Sequence, residues 1–131
     1  MEGKIHTKKF QITDETVRQF AEASRDKNPI HLDEEYAKGS IFGRRVCHGM
    51  LIASFFSAVI GNEFPGQGTI YVTQNMRFRR PVFVGDEVTI VIKVLEVLEK
   101  KRLRLETVCL NNEDEAAVIG EAVVIPPKGF L

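Results

Sequence analysis

The feature that most constrains this chain is the run from Gly49 to Ile60, which carries no charge and only two polar side chains, Ser54 and Ser57. A helix that is apolar all round has no face to give to water, so it must be enclosed on nearly every side. Twelve helical residues rise roughly 18 Å, enough to cross a small domain and far too little to span a bilayer. A chain of 131 residues is most simply a single domain over 1–131 that buries about two-thirds of its unfolded surface. The run is therefore expected to be the central core helix, almost wholly buried.

The segments on either side say what does the enclosing. Lys4–Ile12 is a short first strand, and Thr13 then offers a capping hydroxyl to a helix over Asp14–Ser24. Val17, Phe20 and Ala21 recur at i, i+3 and i+4, so one side of that helix faces inward. Pro29 keeps Asn28 out of the helical region, so the chain leaves extended there. Asp33 can cap a further short helix that Gly39 stops. After the apolar run, Gly61, Pro65, Gly66 and Gly68 break the helix into a loop. Strands follow to the end: Thr69–Arg79 with Ile70, Val72, Met76 and Phe78 on one face, then Glu87–Leu98, Arg102–Leu110 and Ala116–Ile125. Helices early and long antiparallel strands late define an α+β domain. Its sheet must curve strongly around the helix, because a flat one would cover a single side.

Composition removes several classes of function. Eighteen basic and eighteen acidic residues, 18 against 18, leave no net field for nucleic acid or an anionic membrane. Cys47 and Cys109 are far apart and read as reduced thiols of a cytoplasmic protein. His6, His31 and His48 lack metal-ligand spacing, so no metal is expected. No glycine-rich phosphate loop follows a strand. The N-terminal residues lack the apolar stretch of a secretory signal.

Chemistry concentrates between Ser24 and Met50. Asp26 and His31 are five residues apart across an Asn28-Pro29 turn. Alone, Asp26 reads as a turn residue capping backbone amides, and His31 as an ordinary loop imidazole. Together they can shuttle a proton near neutral pH. Gly49 opens the apolar helix, where a backbone N–H and the helix dipole can stabilise an oxyanion; it equally suits close packing of helix on sheet. Ser57, eight residues further on, can simply bond back to a carbonyl one turn earlier. Cys47 beside His48 is not a nucleophile–base pair, since adjacent side chains point apart. Arg44, Arg45, Arg77, Arg79 and Arg80 could each meet phosphate or merely be solvated.

The stretch Asp26-Lys27-Asn28-Pro29-Ile30-His31-Leu32-Asp33 resembles the hydratase-2 motif of MaoC-like (R)-specific enoyl-CoA hydratases. The likeness extends through Val46–Leu51, Phe64–Tyr71 and Arg80–Asp86, in order and without large gaps. It implies a single hotdog domain, a long helix wrapped in an antiparallel sheet. It also implies reversible hydration of a trans-2-enoyl-CoA to an (R)-3-hydroxyacyl-CoA, as in bacterial enzymes that feed polyester synthesis or fatty-acid breakdown. Asp26 and His31 would be the catalytic dyad and Gly49 the oxyanion amide, with Ser57 in the active site near them. No cofactor is implied. Hotdog domains pair edge to edge, so a homodimer or a multiple of it is expected. A 3-hydroxyacyl-acyl-carrier-protein dehydratase differs only in carrier and direction. A hotdog thioesterase often carries an acid on the central helix, and Gly49–Ile60 has none. A non-catalytic acyl-thioester-binding subunit would have no need of both dyad residues.

Overall fold

A computed structural model describes residues 1–131. In chain order it contains β1 (Ile5–Gln11), α1 (Asp14–Ser24), α2 (Pro29–Leu32), α3 (Glu34–Lys38), α4 (Gly49–Asn62), β2 (Ile70–Phe78), β3 (Glu87–Val97), β4 (Leu103–Leu110) and β5 (Ala116–Ile125). The strands form one antiparallel sheet in the order β1-β3-β4-β5-β2, so β1 and β2 are its edges.

Strict alternation makes the inner face. Val88, Ile90, Ile92 and Val94 of β3, with Leu103 and Leu105 of β4, are fully buried while their neighbours face outward. They share one core with Leu51, Ile52, Phe55, Phe56, Val59 and Ile60 of α4. Burying each such side chain contributes about 1.5–3 kcal/mol, so this single contact surface dominates the fold. Phe10 of β1 closes one flank by stacking on Phe55, with ring centroids 4.3 Å apart. Thr13 caps α1 as expected, its hydroxyl accepting from the Thr16 amide, and Val17 and Ala21 are buried.

Two expectations are corrected. Helix α4 runs through Gly61 to Asn62, and it is not enclosed on every side: Met50, Ser54 and Ser57 form an exposed stripe. Met50 alone keeps 58% of its surface in water. The sheet of one chain covers the side of α4 that carries Leu51, Ile52, Phe55, Phe56, Val59 and Ile60 and leaves the stripe of Met50, Ser54 and Ser57 open.

The second correction concerns β2. Its pairing with β5 slips between Tyr71 and Thr73, and one extra residue reverses which side chains face inward. Tyr71 and Met76 therefore pack on the core, while Ile70 and Val72 remain 59% and 40% exposed. Phe78 shares the inward side with Met76 but borders an open cavity beside Gly49, and stays 55% exposed.

The segment before α4 is pinned to the chain entering β3. Val46 and Phe83 form an isolated antiparallel bridge, the Cys47 amide donates to the Val82 carbonyl, and the Val84 amide donates to that of Arg45. This pinning brings the start of α4 beside the end of α1.

Candidate active site

Local polar bonds shape the arm that leaves α1. The Ser24 hydroxyl donates to the Phe20 carbonyl at 2.7 Å and accepts the Asp26 amide at 3.1 Å. The Asp26 carboxylate accepts the Asn28 amide, and the Asn28 side chain accepts the Ile30 amide, both at 3.3 Å. Asn28 thereby caps α2, with Pro29 at its first position and His31 in its last turn. The extended Asn28 follows the expectation from Pro29, whereas α2 itself is an addition to it. Asp26 stays exposed and His31 is half-buried.

Both line a cavity of about 460 Å³, within the range that accommodates small ligands. Gly49, Met50, Phe78 and His48 line it too, and Arg79 and Arg80 stand at the same cavity. Asp26, His31 and Gly49 are thus brought together. Ser57 is not: it is exposed and outside this cavity.

His31 is held in one tautomer. Its Nδ1 lies 2.8 Å from the Val46 carbonyl, which only accepts, so Nδ1 carries the proton and Nε2 keeps its lone pair. Burial, first, holds the His31 pKa below the ordinary 6.5; the Val46 bond and Asp26 act in the opposite sense, and His48 and Arg45 reinforce the lowering. The imidazole is therefore neutral and basic at neutral pH. An Asp26 carboxylate oxygen and one ring nitrogen of each of His31 and His48 lie within 4.8 Å of one another.

His48 was absent from the sequence-based site. Its ring stacks on His31 with centroids 3.9 Å apart and 26° between planes. Its Nε2 donates to the Asp26 backbone carbonyl at 2.9 Å, and its buried Nδ1 has no partner. Histidine spacing argues against a metal, yet folding gathers Asp26, His31 and His48 into one cluster of groups that could hold an ion. Position alone could have flagged His48, since it is the residue that precedes α4.

Gly49 has a steric reason as well as an electronic one. A Cβ there would come within 2.6 Å of the Phe78 ring. No side chain caps α4 at its N-terminus, and the first N–H groups of a helix lack partners within it. Cys47 is no nucleophile: burial pushes its thiol up to about 12. Among the arginines, Arg45 is turned inward, bonded to the His31 carbonyl and to Asp14, so it is not free to meet a phosphate. Arg44 lies over the Phe83 ring, 3.8 Å from its centroid.

A helix enclosed by an antiparallel sheet, with an acid–imidazole pair at the helix N-terminus, defines a hotdog domain of the hydratase and dehydratase class. The chain belongs to the MaoC like domain family, whose model matches residues 1–117. It is 46% identical over 112 residues to the (R)-specific enoyl-CoA hydratase of Aeromonas caviae, covering 85% of this chain and 84% of that protein. The solved structure of the A. caviae (R)-hydratase, described as involved in PHA biosynthesis, superposes with a TM-score of 0.94 over 97% of both chains. A 3-hydroxybutyryl-CoA dehydratase of Methylorubrum extorquens is 42% identical over 96% of this chain and 80% of its own length.

Proposed function

We propose that this protein is a hydro-lyase that adds water reversibly to trans-2-enoyl-CoA, giving (R)-3-hydroxyacyl-CoA. The observation that carries the reading is the neutral His31, with Nδ1–H tied to the Val46 carbonyl and its other nitrogen free beside Asp26. The names of the A. caviae and M. extorquens relatives support the same reaction in its two directions.

In the proposed mechanism a water sits between Asp26 and His31, over C3 of the enoyl group. His31 Nε2 takes a proton as the oxygen bonds to C3, and electrons move through C2 to the thioester oxygen. The amide of Gly49, at the positive end of α4, stabilises that developing enolate. A proton then returns to C2, with Asp26 orienting the water and assisting the transfer. No cofactor is required. Run backwards, the same groups dehydrate a 3-hydroxyacyl thioester, on CoA or on an acyl carrier protein.

The active form is a homodimer or a multiple of it, joined along β2. That edge exposes Ile70, Val72 and Phe78, and Phe78 lies against Gly49 at the start of α4. The opposite edge, β1, carries Lys8 and Lys9 and is blunted by charge. Covering the exposed stripe of α4 would also give Ser57 a protein surface to act on, as a contributor to acyl binding. Val72→Glu should shift a dimer toward monomer in sedimentation, and a wild-type monomer with full activity at micromolar concentration removes this part. No helix is long and apolar enough to cross a membrane, and two free thiols suit the cytoplasm.

The reaction is tested with crotonyl-CoA, following loss of the enoyl-thioester absorbance and resolving the product's enantiomers. Formation of the (R)-alcohol supports the proposal. Hydrolysis to free CoA would replace it with a thioesterase.

A further inference from the structure

Helix α2 is four residues long, too short to be stable by itself, and it carries His31. Its carbonyls are nonetheless all occupied. Those of Asn28, Pro29 and Ile30 accept backbone amides from His31, Asp33 and Val46. The last two rely on side chains: Arg45 Nε donates to the His31 carbonyl at 2.7 Å, and Arg18 Nη2 donates to that of Leu32 at 3.3 Å. Arg18 is solvated, but the Arg45 side chain is only 8% exposed and its Nη2 meets Asp14 Oδ1 at 2.6 Å.

A buried guanidinium is costly to desolvate and is poor evidence of stabilisation by itself. Its placement here is specific: one N–H holds the main chain of His31, another holds the first turn of α1, and the next residue, Val46, holds the His31 ring. We propose that Arg45 is a positioning residue for His31, with Asp14 as its counter-charge, so that α1, the pre-helical segment and the imidazole move as one piece. This inference rests on His31 acting as the base in the proposed hydration.

The arrangement has an electrostatic signature. Groups facing His31 are the stacked His48, the Asp26 carboxylate and the Arg45 cation. Both Arg45 and His48 disfavour the imidazolium, and Asp26 favours it. Asp14 partly cancels Arg45, and its own carboxyl is held below the ordinary range first by Arg45 and then by Arg18. Removing Arg45 should therefore raise the His31 pKa, whereas removing the charge of Asp14 should lower it.

The test is an NMR titration of the His31 ring in wild type, Arg45→Gln, Arg45→Lys and Asp14→Asn, alongside crotonyl-CoA kinetics. Arg45→Gln is expected to raise the His31 midpoint and Asp14→Asn to lower it, with the acid limb of kcat/KM moving in the same two directions. Arg45→Lys should leave the midpoint nearly unchanged, yet lower kcat at least about tenfold at unaltered KM, because a single ammonium cannot make both bonds. Asp14 is 53% exposed and Asn keeps an oxygen acceptor for Arg45, so Asp14→Asn is expected to fold even where an Arg45 variant does not. Midpoints that stay put, or shift the same way in Arg45→Gln and Asp14→Asn, overturn the proposal. Opposite shifts in a protein inert toward enoyl-CoA would instead uphold the coupling and refute the hydratase reading.

Discussion

Helix α4 and the arm Asp26–His31 meet at one cavity but are held by opposite means. The inner side of α4 is apolar, and six of its large side chains lie in the core. The arm buries little; a relay of hydrogen bonds from Ser24, Asp26, Asn28, Arg45 and Val46 holds it. Burial is non-directional and gives stability. Hydrogen bonds are directional and give placement, at only about 1 kcal/mol net each. Substitutions in α4 should therefore change melting, and substitutions in the arm should change turnover.

The largest effect belongs to the helix. Ile52→Asp puts an unpaired charge among fully buried neighbours and should leave little folded protein, while Phe56→Ala should cost about 3–5 kcal/mol in chemical denaturation. A wild-type midpoint for Phe56→Ala would break the contrast from the α4 side.

Next comes the dyad. Asp26→Asn and His31→Gln should each lower kcat by about a hundredfold or more, with melting temperatures near wild type. Because the proposed mechanism has both acting on one water, the double variant should be little worse than either single one. Folded single variants that retain near wild-type turnover would detach the chemistry from the arm.

Gly49→Ala lies where the two regions touch, and its effect should be intermediate. The added methyl must displace the Phe78 ring, which is half-exposed and can move. We expect about a tenfold loss in kcat/KM with little change in stability. The smallest effect is Ser57→Ala: stability within about 0.5 kcal/mol of wild type, as for exposed positions generally, and at most a few-fold change in KM.

What the sequence made legible follows the same division. The α4 run, the Thr13 cap and the apolar stretches that became β3 and β4 are short-range patterns, and each became the expected element. The slip in β2 left no such mark, since one extra residue between Tyr71 and Thr73 looks like any other in a strand. The open stripe of α4 was misread because a charge-free helix was equated with enclosure by one chain. Asp26, His31 and Gly49 were visible through their motif, and the cavity brings them together. His48 and Arg45 were not visible in their roles. His48 reaches back 22 residues to Asp26 and Arg45 reaches 31 to Asp14, and no local pattern encodes which partner waits at that distance.

The Val46 carbonyl has a consequence for how this site can drift over generations. Many catalytic imidazoles are oriented by a carboxylate, which one nucleotide change can delete. Here the acceptor belongs to the main chain, and every residue at position 46 would supply it. Selection at that position can act only on bulk and backbone shape, leaving the side chain free to exchange among small apolar types while the ring keeps its tautomer. The hydrogen bond that fixes the His31 tautomer is thus the one least open to loss by substitution.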